Sequence, residues 1–228
     1  RLLNSAKIIH MPMEYSVQQI EDIKREVMEA NGLSNCYIRA GAWRGSEQMG
    51  IDVSGSHTHM AVAAWDWGSY FDPEVRKVGI SLMTSQYRKP APDTAPTQSK
   101  CAGLYVLGTM AKYEAQQKGF TDAFMHDFEG YVAESSGANI FLIKDGVIHT
   151  PIADRFLNGL TRQTVIGLAK DMGITVEERR IKPEEVESFE EIFLTGTAAE
   201  ITPVGKIDDM TFTPGAITKQ LHDAYEAK

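Results

Sequence analysis

Between Tyr87 and Ser99 the chain reads Tyr-Arg-Lys-Pro-Ala-Pro-Asp-Thr-Ala-Pro-Thr-Gln-Ser, and no other stretch limits the possible folds as strongly. Pro90, Pro92 and Pro96 each fix φ and remove a backbone donor, so neither a regular helix nor a central strand runs through them. The segment reads as a connector. It divides the chain into an N-terminal unit, residues 1–86, and a C-terminal unit, residues 100–228, with 87–99 as the interdomain loop. The 228 residues are enough for one large domain or two modest ones.

Patterning differs on the two sides. From Ser16 to Ala30, Val17, Ile20, Ile23 and Val27 fall at helical spacing, Ser16 and Gln19 form a capping box, and Asn31-Gly32 supplies a stop. Strand-forming runs follow at Cys36–Trp43, Met60–Trp65 and Val78–Ser85, which together predict a small α/β unit. Beyond the connector, small and apolar residues predict a helix over Lys100–Gln117, ended by Gly119. Residues Ala123–Thr150 read as strands turned at Glu129-Gly130 and Asp145-Gly146. A helix at Thr161–Met172, a strand at Glu191–Thr195 and a helix at Ala216–Ala227 complete an α+β second half.

Composition removes several function classes. Acidic residues outnumber basic ones by 31 to 23 with no clustered basic run, which argues against nucleic-acid binding. No apolar run approaches the roughly 20 residues that span a bilayer, so no membrane is implied. The cysteines, Cys36 and Cys101, form neither a redox nor a zinc pattern, and a reducing cytoplasm suits them. The six histidines offer no metal-ligand spacing, and no serine-hydrolase elbow, P-loop or dinucleotide fingerprint is present.

The chemistry-bearing candidates are few. Most of the thirteen lysines read as solvated charges. Lys100 is set apart because it sits where the proline-rich connector enters a helix of small residues, near a junction where clefts form and burial can depress an amine pKa. Glu134 lies among small residues on a predicted strand, where it reads either as an edge charge or as an acid facing a cleft. Asn158–Arg162, opening a helix, and Thr195–Ala199, after a strand, present free backbone N–H groups suited to an anion, although most helix starts do the same.

The order of these segments resembles the fold-type IV pyridoxal-phosphate enzymes, most closely the branched-chain amino-acid aminotransferases. The likeness rests on Tyr37-Ile38-Arg39 with Gly50, Ser99-Lys100-x-Ala102-Gly103-x-Tyr105, Glu134-x-x-Gly137-x-Asn139, Gly159-Leu160-Thr161-Arg162, and the run from Thr195 to Val204. It implies a small α/β N-terminal domain, here incomplete, and a larger β-rich C-terminal domain that holds pyridoxal 5′-phosphate. It implies that Lys100 bonds the cofactor aldehyde, Glu134 faces the ring nitrogen, Tyr105 binds the ring oxygen, and Leu160, Thr161 and Thr197 hold the phosphate. Tyr37, Arg39 and Trp67 would line the substrate side-chain pocket, and the Thr197-Ala198 amides would take the α-carboxylate.

The implied reaction is ping-pong transamination of Leu, Ile and Val with 2-oxoglutarate. D-amino-acid or amine transaminases and pyridoxal-dependent lyases of the same fold remain alternatives, as does a non-catalytic remnant. The family completes its site at a domain interface and across a homodimer. In it, an arginine that clamps the phosphate and an aromatic residue lent to the neighbouring site lie upstream of the segment matching Arg1–Ile9. The opening at Arg1, with no initiator Met, accordingly reads as a fragment.

Overall fold

The computed structural model describes residues 1–67 and 77–227. The chain divides into two compact units, one from Arg1 to Gly68 with Ser99–Cys101, the other from Ser69 to Gln98 with Ala102–Lys228.

The smaller unit holds α1 (Leu2–Ile8), α2 (Val17–Ala30) and an antiparallel pair, β1 (Tyr37–Arg44) with β2 (Thr58–Trp65). The capping box forms as the sequence predicts. Gln19 N–H donates to Ser16 Oγ at 3.2 Å and Ser16 N–H to Gln19 Oε1 at 2.8 Å, so two of the amides orphaned at a helix start are satisfied. Gly32, at φ 65°, turns the chain out of α2.

The third strand, β3 (Ile80–Lys89), is not part of this unit, contrary to the boundary expected at residue 86. It pairs in parallel with two strands of the larger sheet. Its last three residues also run into the supposed connector. The prolines begin only at Pro90, and a residue that precedes proline favours extended backbone, so the strand continues to Lys89. The rest of the connector is held rather than loose, because Gln98 Nε2 donates to Ala153 O at 3.0 Å and Phe156 O at 2.9 Å.

After a 3₁₀ turn at Ala102–Leu104 come α3 (Tyr105–Gln117), β4 (Asp122–Asp127), β5 (Val132–Ser135), β6 (Asn139–Lys144) and β7 (Val147–Pro151). Then follow α4 (Leu160–Asp171), β8 (Val176–Arg179), β9 (Glu191–Gly196), β10 (Glu200–Ile207), β11 (Met210–Thr211) and α5 (Ala216–Glu226). Pairings of β10 with β3, β3 with β4, β4 with β5, β5 with β6, β6 with β9 and β9 with β10 close a ring. The Asp145-Gly146 turn joining β6 to β7 has φ of 51° and 76°, the doubly positive backbone of a tight hairpin.

Alternation along the strands separates two apolar faces. Ile80, Leu82, Phe124, Val132, Ile140, Leu142, Ile192, Leu194 and Val204 pack in one cluster. On the other face, Phe141 and Phe193 stack at 4.9 Å between centroids, beneath Val165 and Ala169 of α4 and Leu221 of α5. Met83, Ala123 and Met125 lie under Ala111 and Ala115 of α3.

Helix α3 sits so close to the sheet that a Cβ added at Gly108 would lie 2.2 Å from Ser136 O. In an exposed helix Gly→Ala stabilises by about 1 kcal/mol. Here Gly108→Ala is expected to destabilise by about 2 kcal/mol through overpacking against backbone, so the sign of the change in urea midpoint decides the point.

Burial, and then the Arg88 guanidinium, push the His126 pKa below its ordinary 6.5; burial and Arg179 do the same to His149. The unfolded chain therefore takes up these protons at a higher pH than the folded one. The associated stability is fully present above the ordinary histidine range and is lost as pH falls toward the folded values. The thermal midpoint should drop between about pH 7 and pH 5, and His126→Gln should flatten that slope.

Candidate functional site

Glu134 reaches its place through a break in sheet register. Met125 pairs with Glu134, but His126 pairs with Val132, so one residue of β5 is extra at this point. A one-residue slip flips the side chains that follow to the opposite face. Val132 therefore packs with Leu82 and Phe124, while Glu134, two residues on, shares the helix-covered face with Met125.

There the carboxylate is 7% exposed and held at both oxygens. Lys89 Nζ, from the last residue of β3, lies 2.9 Å from Oε1; both side chains are 10% exposed. Asn139 Nδ2 donates to Oε2 at 2.8 Å. Asn139 is the direct cross-strand partner of Glu134 on one side and of Thr195 on the other, so the three form a row over β5, β6 and β9. Thr195 is 1% exposed, and its Oγ1 has no hydrogen bond among the described residues.

The same Asn139 touches the start of α4. Its Nδ2 donates to Leu157 O at 3.0 Å, and its Oδ1 accepts from Gly159 N–H at 3.1 Å. Gly159 is the N-cap and offers no side-chain cap, so the first-turn amides of Leu160, Thr161 and Arg162 lie beyond reach of any intrahelical acceptor. Thr161 is buried and Leu160 exposed. Arg162, 1% exposed, locks the turn from behind: Nη1 donates to Asn158 Oδ1 at 3.1 Å, and Nη2 to Pro151 O at 2.9 Å and Glu178 Oε2 at 2.7 Å. The Thr197-Ala198 turn follows the row directly, between β9 and β10. Tyr105 opens α3, and a Cβ at Gly137 would lie 3.9 Å from its ring.

The larger unit thus brings together a buried carboxylate, a helix start and a polar turn, all from segments singled out in the sequence. The remaining candidates lie in the smaller unit. Tyr37 pairs with Trp65 across β1 and β2, and its ring lies 4.6 Å from that of Trp67. Arg39, two residues along, is exposed opposite Ala63. Lys100 is exposed rather than buried and precedes the 3₁₀ turn instead of starting a helix. Its backbone N–H donates to Ser5 Oγ at 2.9 Å and Ser99 Oγ to Ser5 O at 3.0 Å, which fixes this short segment against α1.

Sequence reasoning missed Lys89, read as part of the proline-rich connector, and gave no role to Asn139 although it stands in the Glu134 motif. The second was within reach: a short turn from Ser135 to Ala138 puts residues 134 and 139 opposite each other. Nothing in the sequence marks Lys89 from the other lysines.

A model for amino-transferase class IV matches residues 1–207, and the chain belongs to that family. It is 41% identical over 228 residues to the branched-chain-amino-acid aminotransferase of Pseudomonas aeruginosa, covering 99% of this chain and 74% of that protein. Among solved structures, the branched-chain amino acid aminotransferase of Escherichia coli matches with a TM-score of 0.95 and 35% identity over 98% of this chain and 75% of that one. The branched-chain amino acid aminotransferase from Thermobaculum terrenum, in its PLP-bound holo-form, matches at 0.91 with 30% identity over 99% of this chain and 74% of that one. The fold is that of these enzymes, α+β as the sequence implied.

Removing one member of a buried ion pair strands the other. Lys89→Ala is expected to lower unfolding free energy by about 3 kcal/mol, whereas Lys89→Met combined with Glu134→Leu should lose much less. Denaturant titration of the three proteins checks the ordering.

Proposed function

We propose that this protein is a pyridoxal 5′-phosphate-dependent aminotransferase. It moves the amino group of Leu, Ile and Val to 2-oxoglutarate, leaving branched 2-oxo acids and L-glutamate. The observation that carries the reading is the match to the Pseudomonas aeruginosa enzyme along nearly the whole chain.

The residues of the larger unit fit the cofactor chemically. A buried carboxylate with both oxygens fixed suits a protonated ring nitrogen, the α4 start suits a phosphate, and Thr195 Oγ1 is a buried polar atom still lacking a partner among the described residues. When bound, pyridoxal phosphate supplies an aldehyde that takes up amines and a ring that accepts the electrons left at Cα.

Lys100 would hold the cofactor at its aldehyde, and its amine would move the Cα proton. Glu134 holds the ring-nitrogen proton in place. Tyr105 orients the ring oxygen, while the Leu160 amide, Thr161 and Thr197 hold the phosphate. The Thr197-Ala198 amides receive the substrate carboxylate. Tyr37 and Trp67 supply an apolar wall for a branched side chain, and Arg39 offers a guanidinium to the γ-carboxylate of glutamate. A homodimer and a cytoplasmic location complete the reading. Cys36 and Cys101 are both free thiols, in keeping with a reducing compartment, and light scattering tests the dimer.

The protein mixed with pyridoxal phosphate should turn yellow and bleach on addition of L-leucine, and borohydride trapping should place the label on Lys100. A label elsewhere, or bleaching by D-amino acids alone, would overturn the assignment. Lys100→Ala is expected to lower turnover roughly 10³-fold or more. Glu134→Gln should still bind cofactor while slowing proton transfer, and unchanged turnover would remove Glu134 from the chemistry.

A further inference from the structure

Among the described residues, Asn139 is the side chain that touches both ends of the site in the larger unit. One Nδ2 hydrogen bond reaches the Glu134 carboxylate, a second reaches Leu157 O, and Oδ1 receives the Gly159 N–H. The hydrogen bonds on both sides of the amide are directed at these two structures, and the residue is 4% exposed. A surface asparagine would exchange such bonds with water, whereas burial holds these in place.

The approach is also close. A Cβ at Gly159 would stand 2.4 Å from Asn139 Oδ1, although φ there is −61°, a value open to any residue. Glycine at the start of α4 is therefore demanded by the Asn139 side chain and not by backbone conformation. Lys89 and Arg162 secure the far sides of the assembly, the first on the other Glu134 oxygen and the second beneath the Asn158 turn.

We propose that Asn139 is a positioning residue that sets the spacing between the Glu134 carboxylate and the α4 N-terminus, so that a single ligand with a cationic ring nitrogen and a phosphate engages both at once. The proposal rests on the functional reading above for the roles of Glu134 and α4. Two anchors held at a fixed separation act as a chelate: once one end is bound, the other meets its partner at high effective concentration. When the tether is cut, each anchor persists but the advantage of joining them falls.

The quantity that isolates this is the ratio of dissociation constants for pyridoxal and pyridoxal phosphate, measured by fluorescence quenching in the folded protein without turnover. Asn139→Ala is expected to lower that ratio about tenfold, while affinity for inorganic phosphate alone changes less than about threefold. Gly159→Ala, which pushes on the same tether without touching Glu134, should lower the ratio in the same way. It also guards against the first variant failing to fold. A purely structural role would lower the thermal midpoint and leave the ratio of the folded protein within about twofold of wild type, which would overturn the proposal. Failure of the unaltered protein to bind pyridoxal phosphate more tightly than pyridoxal is a different result, one that overturns the functional reading itself.

Discussion

The extra residue in β5 is the constraint on which the site depends. Had β4 and β5 kept a continuous register, Glu134 would share the face of Val132 and point among Leu82, Phe124 and Ile140, in an apolar cluster. A carboxylate placed there without a partner is among the most destabilising arrangements a core can contain. The slip sends it to the face covered by helices, where the last residue of β3 brings an ammonium and the first residue of β6 an amide. Lys89, Glu134 and Asn139 come from three strands, so the full set of contacts to the carboxylate forms only when all three are in register.

The same face explains why the helices lie where they do. Gly108 lets α3 press onto the carbonyl of Ser136, and that carbonyl lies 3.4 Å from Lys89 Nζ, so helix position and ion pair are linked through one peptide group. On the other flank, Phe141 and Phe193 carry α4 and α5, which leaves the first turn of α4 beside Asn139. Apolar packing thus brings a helix start up to a buried anion, and the Asn139 amide separates them by donating to one and accepting from the other.

Much of this was legible in the sequence where local chemistry decides structure. The Ser16–Gln19 capping box, the Asp145-Gly146 turn and the stops at Gly32 and Gly119 follow from residue types acting within a few positions. The Glu134, Leu160, Thr161 and Thr197 segments could be singled out as motifs, and the structure gathers them in one unit. What escaped depends on pairing over long separations. Neither the membership of β3 in the larger sheet nor the partner of Lys89 is encoded near either residue, since parallel pairing of Ile80 with Val204 is a property of the closed ring. The helix expected from Lys100 onward starts only at Tyr105, after a 3₁₀ turn, and the hydrogen bonds of Ser99 and Lys100 to Ser5 are contacts over some ninety-five positions that no local pattern announces.

Closure of that ring has a consequence for synthesis. Strand β3 needs β10 on one side and β4 on the other, and Val204 leaves the ribosome long after Ile80. At synthesis rates of about 5–20 residues per second, one edge of β3 waits unpaired for many seconds in a nascent chain, a period when edge strands recruit wrong partners. The prolines at 90, 92 and 96, directly after that strand, limit how far a mispaired ladder can extend.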